Sequence, residues 1–301
     1  MTPEEEVRAD LADELFGNAR DFLNQGLVFL LSHPANDKAA KFLIVNLQMS
    51  LELLIKWHLV TNVGTQAIFE KPLAGIADLR KRIWAGELRS KDYNPLKQQF
   101  ISLNQNRLQP PDIELLKKFQ TYRNRIVHAF MSLTHEQSVI LAIDMAFKVM
   151  RRIIGDDPHA PFTGYIDKEL YKKLMGYKPY IEKSEEEAEQ WSEDDVLLCW
   201  ECKHQSLAEI HQYYYCFCCG ISVPDDAIGY VKCPFCDEKA FAYDTLNVKD
   251  HGTTGRCLNC DEDASVDVCV HCDAPVFVEL GGRHGKKGWY CELCESLADE
   301  V

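Results

Sequence analysis

Thr121-Tyr122-Arg123-Asn124-Arg125-Ile126-Val127-His128-Ala129-Phe130 is a polar interruption of an amphipathic run. Leu115, Leu116, Phe119, Ile126, Val127 and Phe130 recur around it at three- and four-residue steps, the spacing of a helix that buries one face. Arg123 therefore falls inside or beside the buried stripe. A guanidinium there keeps its charge and requires an anionic or strongly accepting partner. Asn124 and His128 share one helix face, close enough for the amide to orient the imidazole. Arg123 lies roughly 140° around an ideal helix from His128. One ligand meets all three only if the arginine reaches around, the helix frays near His128, or a second subunit completes the site.

Outward from this helix the chain reads as all α. Residues 4–32 carry Leu11, Leu15, Phe22, Phe29 and Leu30 at helical spacing, with Gly17 and Gly26 as weak points and Pro34 as the stop. Asn36 or Asp37 caps a long second helix to about Asn62, with Phe42, Ile44, Val45, Leu47, Leu51, Leu54, Ile55 and Leu59. A third helix is expected from Thr65 to about Leu88 and a shorter one over Leu96–Leu103. Pro110-Pro111-Asp112 suits the first turn of the motif helix. Thr134-His135-Glu136-Gln137 is a capping box opening a last helix to Ile154, closed by Gly155. The expectation is a bundle of five or six helices over residues 1–155. Residues 156–195, with Asp-Pro, Ala-Pro and Lys-Pro breaks and the charge run Lys183–Gln190, read as a connector and acidic linker, apart from a short helix at Asp167–Met175.

All 13 cysteines follow. Twelve form six Cys-x-x-Cys pairs: Cys199/Cys202, Cys216/Cys219, Cys233/Cys236, Cys257/Cys260, Cys269/Cys272 and Cys291/Cys294. Taken consecutively they enclose 13, 20 and 18 residues, the spacing of three tandem zinc ribbons over 196–222, 223–264 and 265–301. Phe241–Thr245, Val276–Leu280 and Trp289-Tyr290 read as strands of the intervening hairpins. Crossed pairing, such as Cys216/Cys219 with Cys233/Cys236, satisfies the same spacing. Three structural zinc ions with closed coordination are expected, with no metal for catalysis. Cys218 is left over as a spectator thiol, and His271 is the one histidine placed to substitute for a ligand.

The formal charge of −14 is unevenly divided. Residues 1–183 carry 25 Lys and Arg against 22 Asp and Glu, and residues 184–301 carry 8 against 25. RNA, whose phosphates require Lys and Arg, is therefore expected at the helical half, and a protein partner or trigger at the acidic ribbons. No apolar run approaches the roughly 18 residues of a membrane span, and the start Met1-Thr2-Pro3-Glu4-Glu5-Glu6 lacks the basic flank of a signal peptide. A cytoplasmic protein without a membrane partner is expected.

Arg123, Asn124 and His128 resemble the Arg-polar-x-x-x-His signature of the HEPN family, and Glu52-Leu53-Leu54-Ile55-Lys56 resembles the Glu-x-x-x-Lys pattern of that family's earlier long helix. The resemblance spans residues 1–155. It implies a homodimer that sets two motif helices together and cleaves RNA, tRNA included, without metal, leaving a 2′,3′-cyclic phosphate, as in toxin-like and antiviral effectors. His128 is then general acid or base, Arg123 stabilises the phosphate, Asn124 orients, Arg125 positions the RNA backbone, and Glu52 and Lys56 support the site. Two alternatives stand beside it. In one, Arg123 pairs with Glu52 or another helix carboxylate, Asn124 accepts a helix–helix hydrogen bond and His128 is an ordinary partly buried histidine. In the other, the bundle is a non-catalytic dimerisation module whose acidic ribbons bind a protein.

Overall fold

The computed structural model describes residues 2–33, 37–73, 78–105, 108–127, 133–155, 164–192, 195–246, 248, 252–278, 280, 282–285 and 288–299. The chain divides into two compact units, residues 1–180 and 181–301.

The first unit is helical. Helix α1 (Pro3–Ser32) opens on a capping box in which Thr2 accepts the Glu5 N–H and the Glu5 carboxylate accepts the Thr2 N–H. It packs along α2 (Asp37–Asn62). Gly26 serves that contact, because a Cβ there would lie 2.9 Å from the Asn46 Cβ. Helix α2 is the centre of the unit: Leu43, Ile44, Leu47, Leu51, Leu54, Ile55, Leu59 and Val60 are fully buried. By length and composition it matches a membrane span, yet 67% of its apolar window is buried in the unit. A core helix accounts for that composition.

The expected third helix over residues 65–88 is two short pieces, a 3-10 turn at Thr65–Ile68 and α3 (Leu79–Trp84). After the 3-10 turn Phe69 bridges to Ser90, and the Gln66 amide takes up Lys71 O and Leu73 N. Pro72 has no N–H with which to continue a helix. Helix α4 spans Tyr93–Leu103 and α5 spans Pro110–Val127. Helix α6 (His135–Asp144) continues through a π-helical segment, Met145–Met150, into α7 (Arg151–Ile154).

The extra residue of that π turn accompanies an unusual core. Asp144 pairs with Lys148 at 2.8 Å, and Asp112 of α5, fully buried, accepts the Gln109 N–H and lies 3.6 Å from Arg152. Removing one partner of a buried ion pair strands the other, so Asp112→Ala is expected to destabilise the helical unit by about 3–5 kcal/mol in chemical denaturation followed by circular dichroism. An added Arg152→Met should recover much of that loss. A change under about 1 kcal/mol would show that the pair contributes little.

The segment expected as a connector is core. Tyr165, Ile166, Leu170, Leu174 and Tyr180 are buried. Tyr165 shares a 2.8 Å hydrogen bond with Ser50 of α2, and the Asn24 side chain of α1 bridges Tyr165 O and Asp167 N at 3.0 Å each. Helices α8 (Lys168–Met175) and α9 (Lys178–Trp191) follow, and the run expected as an acidic linker is part of α9, with Ser184 and Ala188 buried and Glu186 and Glu189 exposed.

The second unit is built of small antiparallel sheets. Strands β1 (Leu197–Leu198), β2 (Gln205–Ile210), β3 (Tyr213–Cys216) and β4 (Ser222–Pro224) form one, in chain order. Strands β5 (Ile228–Val231), β6 (Phe241–Asp244), β7 (Thr253–Cys257), β8 (Asp263–Val268) and β9 (Pro275–Phe277) form a second, also in chain order. Strands β10 (Arg283–His284) and β11 (Trp289–Tyr290) form a hairpin. The expected boundary at 264/265 falls inside β8, so the second and third cysteine modules share one sheet. Gly255 admits the Phe241 ring into that sheet's core, since a Cβ there would lie 2.2 Å from it.

Candidate functional site

The twelve paired cysteines come together in consecutive order. Cys199, Cys202, Cys216 and Cys219 form one group, Cys233, Cys236, Cys257 and Cys260 a second, and Cys269, Cys272, Cys291 and Cys294 a third. Within each, all Sγ atoms lie within 4.8 Å of one another. The crossed alternative is thereby removed. His271 stands outside the third group, and Cys218, buried beside the first, outside that one.

Local geometry explains why these pairs point inward together. Five of the six are the turns of hairpins, joining β1–β2, β3–β4, β5–β6, β7–β8 and β8–β9. In each, the residue after the second cysteine donates its N–H to the first cysteine's carbonyl: Lys203, Gly220, Asp237, Asp261 and Asp273, at 2.9–3.0 Å. Each of these residues is left-handed, with φ of 63°, 74°, 61°, 62° and 59°. Glycine and aspartate tolerate that backbone; Lys203 is the exception. The sixth pair instead leads from β11 into a 3-10 helix, Glu292–Asp299.

Sulfur–sulfur distances test the fit to a metal. Four thiolates about 2.3 Å from a central zinc stand about 3.8 Å apart at the corners of a tetrahedron. The observed separations are 3.7 Å for Cys199–Cys219, 3.6 Å for Cys202–Cys216, 3.7 Å for Cys233–Cys260 and Cys236–Cys257, and 3.7 Å for Cys272–Cys291. Disulfides require about 2.05 Å. Donors also aim at the sulfurs: the Cys219 N–H at Cys216 (3.3 Å), the Phe235 N–H at Cys233 (3.4 Å) and the Asn259 amide at Cys236 (3.7 Å). The Glu238 backbone N–H and then the Asn259 amide lower the Cys236 thiol to about 7, whereas burial and then the neighbouring sulfurs push that of Cys294 up, as crowded thiols without a cation do.

On the helical unit, Arg123, Asn124 and Arg125 lie on α5, with Arg123 half-buried and the other two exposed. Leu115, Leu116, Phe119 and Ile126 are buried, as the periodicity predicts. Arg123 Nη1 donates to Asn124 Oδ1 at 3.0 Å. Among the described residues Arg123 has no carboxylate partner, because Glu52 is taken by Lys56 at 2.8 Å on α2. His128 lies outside the described residues.

Side chains from α4 meet α5 one turn before this pair, and no motif marks them. Lys97 lies 5.6 Å from the Tyr93 ring and donates to Gln120, one turn before Arg123 on α5; Gln120 in turn donates to Asn94 at 3.0 Å. Lys56 donates to Ser90 at 3.3 Å. Burial, then the Glu52 carboxylate, raise the Tyr93 hydroxyl's pKa, with Arg123 opposing, so all three share one electrostatic neighbourhood. Burial lowers that of the Lys97 ammonium. The only sequence sign of this cluster is the four-residue spacing of Tyr93 and Lys97. No protein-family model matches the chain, and neither a curated protein nor a solved structure is similar to it.

Proposed function

We propose that the helical unit is a metal-independent endoribonuclease of the HEPN type, a toxin-like or antiviral effector of the cytoplasm, and that the β unit is its recognition arm, held by three zinc ions. The observation that carries the catalytic reading is the state of Arg123. Arg123 is half-buried, with its guanidinium beside Asn124 and without a carboxylate among the described residues, on the half of the chain with a positive balance. An arginine so placed can receive a phosphate. In the reaction the RNA 2′-oxygen attacks the adjacent phosphorus, the bond to the 5′-oxygen breaks, and a 2′,3′-cyclic phosphate remains. One proton leaves the 2′-hydroxyl and one reaches the departing 5′-oxygen. A histidine, with an ordinary pKa near 6.5, suits either transfer, and His128 takes that role while Arg123 neutralises the charge gathered on phosphorus. Asn124 orients, and Arg125 and Lys97 hold the backbone. The offset of Arg123 and His128, roughly 140° around an ideal helix, favours a homodimer with two motif helices opposed, the arginine of one subunit facing the histidine of the other.

Zinc suits the four-thiolate groups, and closed coordination assigns them to structure. A second reading, in which the bundle serves as a dimerisation module, draws on the exposed stripe of Phe42, Val45 and Met49 on α2, which are 42%, 50% and 39% exposed. Total RNA incubated in magnesium-free buffer separates the two. The wild-type chain should cut it, with and without EDTA, and His128→Ala should not. Undiminished cutting by that variant, or a requirement for added divalent ion, removes the catalytic reading.

A further inference from the structure

The β unit holds an open pocket of about 330 Å³ beside the third four-thiolate group, whose Cys291 forms part of its wall. Pro234, Val276, Phe277, Leu280, Glu292 and Leu293 line it. Leu293 is 94% exposed and Leu280 50%, and Phe235, on the knuckle next to Pro234, is 46% exposed. Isolated exposed leucines are ordinary; several around one concavity mark a binding surface. Part of the wall is packed: Phe277 lies edge-on against Phe241 with centroids 4.9 Å apart and Val276 is buried, while Leu293 falls between Cys291 and Cys294 of the third four-thiolate group.

Two features define the occupant. The neighbouring edge strand, β9, is a poor template for a further strand: Pro275 has no N–H, and the Phe277 carbonyl already accepts from Leu280 (3.2 Å) and Gly282 (3.3 Å). Recognition must therefore run through a side chain entering the pocket. The surroundings are acidic. Glu292 lines the pocket, Asp273 precedes the wall residue Ala274, Glu295 follows one turn from Glu292, and among the described residues no Lys or Arg lines it. The nearby Lys232 is held by Asp237 at 3.2 Å. Residues 184–301 carry 8 basic against 25 acidic side chains, and each zinc-bound four-thiolate group adds about two further negative charges.

We propose that this pocket takes one bulky apolar side chain from a linear, Lys- and Arg-rich protein segment, with the acidic rim holding the flanking cations. This reading is independent of RNA cleavage. The experiment uses the full zinc-loaded chain and fluorescent dodecapeptides, followed by anisotropy. One central Trp, Phe or Leu is set in Lys/Arg flanks; controls carry a central Ala, Asp/Glu flanks, or are replaced by single-stranded oligouridylate. The basic apolar peptides should bind, with the Ala and acidic controls weaker by about tenfold or more. Leu280→Ser and Leu293→Ser, both at solvent-facing positions, should together weaken binding by about tenfold while zinc content stays at the wild-type value. His128→Ala should bind as wild type does. Equal binding of the Ala peptide, wild-type affinity in the double variant, no saturation up to about 1 mM, or displacement of the peptide by the oligonucleotide each overturns the proposal.

Discussion

Chelation at neutral pH is expected to release three zinc ions per chain and unfold the β sheets, while the helical signal of residues 3–175 persists. The reason lies in how little apolar material each module owns. In the first module it is Ala188, Leu197, Leu207, Ala208, Ile210, Tyr215, Phe217 and Ile221; in the third, Val276, Tyr290 and Ala298 besides the cysteines themselves. Such cores do not offset the ordering of their strands, about 1–2 kcal/mol per residue for the backbone alone. A structural zinc contributes about 10–16 kcal/mol in apparent terms, enough to decide the sign. The shared sheet makes the expectation more specific. Strand β8 begins just after the knuckle Cys257–Cys260 and ends just before the knuckle Cys269–Cys272, and it pairs with both β7 and β9. Cys257→Ser should therefore release the second and third metals together, whereas Cys199→Ser, in the separate sheet, should release the first alone. Zinc measured per folded chain checks both. Retention of two metals by Cys257→Ser would show that the third module stands alone, and protease resistance unchanged by a strong chelator would remove the structural role of the metal.

What could be foreseen in the sequence follows the range of the interactions. The knuckles were legible because everything that shapes them is within five residues: two cysteines, a turn, and an aspartate or glycine placed for a left-handed backbone. Helices α1 and α2 were legible because their buried faces repeat along the chain. The helix expected over residues 65–88 fails on local competition, where the Gln66 side chain satisfies backbone groups that a helix would otherwise use. Residues 164–180 look like a connector because their anchors, Asn24 and Ser50, lie more than a hundred residues earlier. The proposed catalytic face divides the same way. Arg123 and Asn124 stand in a motif, while Tyr93 and Lys97 come near them only through the packing of α4 on α2 and its hydrogen bonds with Gln120 of α5.

Arg123→Ala is expected to lower RNA cleavage by about 10²–10³-fold, the range lost when one preorganised donor to a developing oxyanion is removed. Affinity for a 2′-O-methyl RNA, which cannot be cut, should change much less, because the charge that Arg123 opposes is greatest in the transition state. Arg123→Lys should recover part of the rate, since a point charge replaces the two-pronged fork. Lys97→Gln should do the reverse, weakening 2′-O-methyl RNA binding and lowering its salt slope by about one, the signature of one phosphate contact. Cleavage within twofold of wild type in Arg123→Ala would remove the arginine from the mechanism. The offset of Arg123 and His128, roughly 140° around an ideal helix, then predicts how the inactive chains behave when mixed. If each site draws its arginine from one subunit and its histidine from the other, a dimer of Arg123→Ala with His128→Ala contains one intact site, and co-refolding the two variants restores activity. If both groups act within one chain, neither subunit of the mixed dimer is complete and the mixture stays inactive. Recovery on mixing therefore requires a shared site, and its absence, with wild-type cleavage intact, would place the chemistry within a single helical unit.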